Sequence, residues 1–150
     1  MAFALQAADV QQTAILAPFL AMMAMTLVVW AVMYVRRINF IVGQRIDPER
    51  LKTPEQGASI IPDTVSYPAY NLRNLTELPV LFYALCLYLY VTNSVDLFYV
   101  IAAWVFVAFR SMHSVIHCTS NRVLYRFYLY MFAALALWSI LLRALLQFIG

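Results

Sequence analysis

The run TAILAPFLAMMAMTLVVWAVMYV, residues 13–35, followed at once by Arg36-Arg37, decides the fold. It carries no charge, and about 20 apolar residues in a helix cross the hydrocarbon of a bilayer. This segment is therefore long enough to span alone. It exceeds the apolar core of a secretory signal, and residues 1–12 hold Asp9 with no basic residue, so a cleaved signal peptide is not expected. Three further apolar stretches follow. Residues 70–92 contain Arg73 and Glu77, residues 95–118 contain Arg110, and residues 123–149 contain Arg126 near the start and Arg143 near the end. The expectation is one domain over residues 1–150, an all-α integral membrane protein built as a four-helix transmembrane bundle. Its helices are expected at about residues 12–37, 69–92, 95–118 and 122–149, with a loop at about 39–68.

Composition agrees. The chain is 65% hydrophobic and 11% charged, where a soluble domain has about 25% charged residues. Ten Lys and Arg against seven Asp and Glu cannot clothe a water-facing surface. The net charge of +3 is accordingly no nucleic-acid footprint, and the basic residues read as topology signals. Three glycines leave no phosphate-cradling loop. Two cysteines, Cys86 and Cys118, lie in apolar surroundings and make no disulfide framework.

Arg36, Arg37, Arg45, Arg50, Lys52 and Arg73 flank the first connection, and Arg122 and Arg126 the third. The N-terminal tail and the turn near Asn93 hold no Lys or Arg. The positive-inside rule then places the first and third connections in the cytoplasm and both termini outside. Pro48, Pro54, Pro62 and Pro68 punctuate the long first connection and argue against a long helix there. Ile46, Leu51, Ile60 and Ile61 suggest that it packs. Thr92-Asn93-Ser94 reads as a tight turn, and Thr119-Ser120-Asn121 as a turn or cap.

Ionisable residues inside a span mark function by default, because a central charge costs about 2.5–3.5 kcal/mol even on the lenient insertion scale. In the second span Asn74 and Glu77 stand at i, i+3, and Arg73 and Glu77 at i, i+4, where they can pair. Pro79 removes the backbone bond to the Leu75 carbonyl and predicts a bend there. In the third span Arg110, His113, Ser114 and His117 form one stripe that must face a helix, a polar cavity or a neighbouring subunit.

These residues carry a resemblance. Arg73-Asn74-Leu75-Thr76-Glu77, then Arg110-Ser111-Met112-His113-Ser114-Val115-Ile116-His117, then Arg126, resemble the MAPEG family, the membrane-associated proteins of eicosanoid and glutathione metabolism. The run Asn74 to Cys86 is more similar to its bacterial branch, which implies a bacterial inner membrane. The resemblance implies a homotrimer of four-helix bundles with glutathione bound between subunits near the cytoplasmic face. Arg73, Asn74 and Glu77 would hold the peptide's polar ends, and Arg110 and His113 would shape the floor. Arg126 would stand nearest the thiol as the catalytic group, with His117 and Tyr130 lining the pocket. Arg37, or Arg36, would reach in from the adjacent subunit. His117 stands where family enzymes usually have Tyr, and Phe127 where one prostaglandin-forming branch has Ser; both bear on substrate class.

The chemistry suits that ligand. Arg forks bind carboxylates with paired hydrogen bonds, and a cation beside sulfur favours the nucleophilic thiolate. The expected function is a glutathione-dependent transferase or peroxidase acting on a lipophilic electrophile from the bilayer, with glutathione as co-substrate and membrane lipids as surroundings. The alternative is a non-catalytic lipid-binding or accessory protein of the same fold; a pore subunit is a weaker third reading. The bland reading of single residues stays beside these. Arg122 and Arg126 could snorkel to headgroups, and Glu77 could merely neutralise Arg73 or Arg110. His113 and His117 at i, i+4 lack a carboxylate or Cys on their face, so no metal is expected.

Overall fold

The computed structural model describes residues 12–150, so expectations for the N-terminal tail, residues 1–11, fall outside the described residues. Among the described residues every regular element is helical. We label them α1 (Leu16–Gly43), α2 (Pro54–Ile60), α3 (Asp63–Asn74), α4 (Leu78–Val91), α5 (Leu97–Cys118) and α6 (Val123–Ile149), with a 3-10 turn over Pro48–Leu51. Four stretches are long and apolar enough to cross a membrane: α1, α3 with α4, α5, and α6.

The core is a thin seam between these helices. Phe82 of α4 stacks on Phe106 of α5 with centroids 4.5 Å apart, and Met22, Leu89, Tyr99, Ala103 and Leu137 are fully buried. Ala102 and Ala103 of α5 face Ala133 and Ala134 of α6 among the buried residues, and such small side chains let two helices approach closely. The outside is apolar: Leu20, Leu27, Trp30, Leu124, Leu135, Leu142 and Phe148 are all exposed. Such a surface is costly in water and ordinary in lipid, so the chain is a multi-pass membrane protein.

The connection between α1 and α3 differs from the plain loop that its prolines suggest. Helix α1 continues past Arg37 to Gly43. Pro48 and Pro54 stand at first helical positions rather than in interiors, where the missing N–H costs nothing. Asp47 caps the 3-10 turn by accepting the Glu49 N–H at 3.0 Å. Thr53 and Gln56 form a reciprocal capping box on α2, both bonds 3.3 Å. Pro62 precedes α3, which starts at Asp63, and Pro68 lies inside it. The Thr64 carbonyl, deprived of a donor by Pro68, belongs to an exposed residue. Ile61 is buried and Ile46, Leu51 and Ile60 are half-buried, so this segment packs on the bundle.

At the opposite end, Asn93 takes φ 53° in the turn between α4 and α5, a conformation Asn tolerates. Asp96 caps α5, accepting the Tyr99 N–H at 3.1 Å. Gln12 clamps this turn, donating to the Leu89 carbonyl at 3.1 Å and accepting the Val95 N–H at 3.3 Å. Between α5 and α6, Asn121 at φ 51° makes a turn, and its N–H returns to the Ile116 carbonyl at 2.8 Å.

Candidate functional site

The site begins at the break between α3 and α4. Pro79 sits in the first turn of α4 and has no N–H to offer, and Glu77 takes φ −98°, ψ −103°, outside the helical region. The chain closes α3 with Leu75 N–H on the Asn71 carbonyl at 3.0 Å and Thr76 N–H on the Arg73 carbonyl at 3.1 Å. The Asn74 carbonyl keeps a long contact from the Glu77 N–H at 3.4 Å, and Arg110 Nη2 of α5 adds a shorter one at 2.9 Å. None of the bonds that close this break goes to the Leu75 carbonyl, the one that Pro79 leaves open in the sequence reading, although the helix is broken there rather than merely bent. The same break removes the i, i+4 relation of Arg73 and Glu77. Both are exposed, and the ion pairs among the described residues are Lys52–Glu49 and Arg143–Asp96.

The stripe on α5 turns wholly inward: Arg110, His113, Ser114 and His117 are all buried. Arg110 lies over the Tyr130 ring, 5.7 Å from its centroid. His113 donates from Nδ1 to the Arg126 carbonyl at 3.0 Å. Asn74 Nδ2 donates to His117 Nδ1 at 3.4 Å. The two imidazoles meet edge to face with centroids 5.5 Å apart.

Around them opens a cleft of about 210 Å³ lined by Asn74, His113, Val123, Arg126, Phe127 and Tyr130. Buried nitrogens here have no hydrogen-bond partner among the described residues: Arg110 Nε and Nη1, His113 Nε2 and Arg126 Nε. Buried polar groups are nearly always paired, so such a concentration marks this as the candidate site. The guanidinium nitrogens can only donate and thus call for an anion.

Arg37 and Arg73 lie elsewhere. They line a second cleft of about 160 Å³ with Pro54, Gly57, Ala58, Ile61, Ser66, Ala69 and Tyr70, under the connection between α1 and α3. Of the expected site residues, Asn74, Arg110, His113, His117, Arg126 and Tyr130 thus come together within one chain. Arg37 and Arg73 form a separate pair, and Glu77 stands exposed at the break. No three His, Cys, Asp or Glu side chains among the described residues cluster as metal ligands.

Sequence reasoning missed Asn71. It is fully buried, accepts from Ser114 Oγ at 3.4 Å and donates to Cys118 Sγ at 3.5 Å. Its position one turn before Asn74 was the available signal. Arg36, named only as a possible reach into a neighbour, donates to the Cys118 carbonyl at 2.6 Å and so caps the end of α5.

A bundle of apolar helices with buried arginine and histidine side chains gathered beside a cleft toward its basic end defines the class, a multi-pass membrane protein with a polar cluster inside the bundle. The MAPEG family model matches residues 15–146, and the chain belongs to the MAPEG family. No curated protein and no solved structure matches it.

Proposed function

We propose that the protein is a glutathione-dependent membrane transferase or peroxidase acting on a lipophilic electrophile. The observation that carries this reading is the set of buried, unpartnered N–H groups of Arg110 and Arg126 beside the cleft of Asn74, His113 and Tyr130. Glutathione offers two carboxylates to such donors, and its sulfur gains from a guanidinium nearby. Arg126 lines the cleft and stabilises the thiolate there. Val123 and Phe127, both exposed at the mouth, give the electrophile an apolar approach from the lipid. The residues outside this cleft find their place in a homotrimer, where Arg73 and Glu77 of one subunit and Arg37 of its neighbour complete the peptide's contacts. The basic connections lie in the cytoplasm of a bacterial inner membrane and both termini outside.

Titration of purified protein with glutathione tests this, following thiolate absorbance near about 240 nm, together with conjugation of a nitroaryl halide and reduction of a lipid hydroperoxide. Saturable absorbance with turnover is the expected result. A flat titration overturns the reading, and saturable binding without turnover of either electrophile favours the accessory lipid-binding role.

A further inference from the structure

We propose that His113 is the base that receives the thiol proton in this cleft, an inference that rests on the reading of the site as a glutathione site. A backbone carbonyl can only accept, so the 3.0 Å contact between His113 Nδ1 and the Arg126 carbonyl puts the ring proton on Nδ1. Nε2 of the neutral ring then carries a lone pair. That atom is buried, has no partner among the described residues, and belongs to a residue lining the cleft. The neighbouring imidazole is arranged the other way. Asn74 Nδ2 donates to His117 Nδ1, which occupies that ring's lone pair and leaves its hydrogen on Nε2. His117 is also not among the residues lining the cleft. Only His113 therefore combines an unoccupied ring lone pair with a place in the cleft wall, and its buried Nε2 is reached once a thiol seats against that wall.

In the step itself the S–H bond breaks and an N–H bond forms at Nε2. The electron pair stays on sulfur, and the ring becomes an imidazolium whose Nδ1–H remains held by the Arg126 carbonyl. The net charge of the site does not change. The groups facing His113 are Arg110 and His117 from α5, Arg126 and Tyr130 from α6, and Asn74 from the end of α3. Arg126, which lines the cleft, then lies beside the new negative charge on sulfur, the charge it favours, while both guanidiniums oppose a charge on the ring, so that the thiolate beside it and the Arg126 carbonyl must hold the imidazolium. Arg126 thus acts twice: its carbonyl fixes the tautomer of the base, and its side chain stabilises the product of the proton transfer.

Proton counting tests this without relying on a variant. Glutathione is added to the intact wild-type protein in weakly buffered detergent solution at neutral pH, with a pH indicator reporting released protons and absorbance near about 240 nm reporting thiolate. A proton kept on His113 gives thiolate with well under one proton released per sulfur ionised. Release of one proton per thiolate overturns the proposal while leaving glutathione binding intact; absence of any thiolate signal overturns both. His113→Asn keeps an amide N–H for the Arg126 carbonyl and lacks the base. It should lower the thiolate share of bound glutathione about tenfold at neutral pH, and what thiolate remains should appear with one proton released for each. A His113→Asn protein with the wild-type thiolate share and the wild-type proton count would equally overturn it.

Discussion

The two ends of this bundle spend arginine in opposite ways. At the end carrying the Asn93 turn, Arg143 pairs with Asp96, one contact being 3.0 Å. Its guanidinium lies over the Phe98 and Tyr99 rings at 4.7 and 4.8 Å, and the Tyr99 hydroxyl continues the network by donating to Gln147 at 2.6 Å. At the other end Arg110 is fully buried, yet two of its three nitrogens have no partner among the described residues, and neither has Arg126 Nε. The first arrangement fastens α5 to α6. The second carries unpaired buried charge, which is costly, and on the proposed function a bound anion would offset that cost. The contrast separates an arginine spent on the fold alone from one that, beyond its bond to the Asn74 carbonyl, keeps donors for the proposed ligand.

Exchanging Arg110 for an apolar side chain of similar length should give the largest effect. Arg110→Met removes the donor from the Asn74 carbonyl and the two unpaired nitrogens together. A charge-assisted hydrogen bond contributes about 1.5–3 kcal/mol, so losing even one of them to the ligand should lower glutathione affinity by roughly tenfold to a hundredfold in calorimetry, and losing both by more. The melting temperature of the empty protein should hold or rise, since replacing a buried charge with apolar volume is often neutral or stabilising. A large fall in melting temperature with affinity retained would erase the distinction between the two ends.

Arg126→Ala should act more narrowly. The backbone carbonyl that holds His113 remains, the fold persists, and the thiolate share of bound glutathione at neutral pH should drop about tenfold. Arg126→Lys should keep part of the effect, because the charge survives while the fork is lost. An unaltered thiol titration in Arg126→Ala would remove this residue from the chemistry, and unfolding would assign it to structure instead.

Asp96→Asn, at the other end, should be the mildest. The pair it breaks is about one-third exposed on each side, and partly solvated ion pairs contribute about 1 kcal/mol or less. The melting temperature should fall by a few degrees while glutathione affinity stays at the wild-type value. A weakened affinity would show that the two ends are coupled.

Much of this contrast was legible beforehand, and the remainder fails for identifiable reasons. Apolar runs and their charged borders locate the spans, because bilayer thickness imposes a length that sequence alone can meet. The α5 stripe is visible for a similar reason: helical periodicity places Arg110, His113, Ser114 and His117 on one face wherever that face points. The prolines do exclude a long helix from the connection, but not short ones: Pro48 and Pro54 begin helices and Pro68 is carried inside α3. A proline interrupts a helix or opens it according to the residues before it, here Asp47 and Thr53 with their side-chain caps. The pairing of Arg73 with Glu77 assumed a continuous helix and vanished with the break at residues 75–77. The grouping of Arg37 with Arg73 under the connection was beyond reach, because it depends on how α2 and α3 fold back upon α1.

The bond from Arg110 to the Asn74 carbonyl also bears on how the chain enters the membrane. Alone, α5 would carry a guanidinium into hydrocarbon at a cost of about 2.5–3.5 kcal/mol, and the broken stretch before α4 would hold the Asn74 carbonyl only by its long 3.4 Å bond from the Glu77 N–H. Each segment supplies what the other lacks, and only the short turn around Asn93 separates α4 from α5. The second and third spans should therefore leave the translocation channel as a paired hairpin, with release of the second delayed until the third is synthesised.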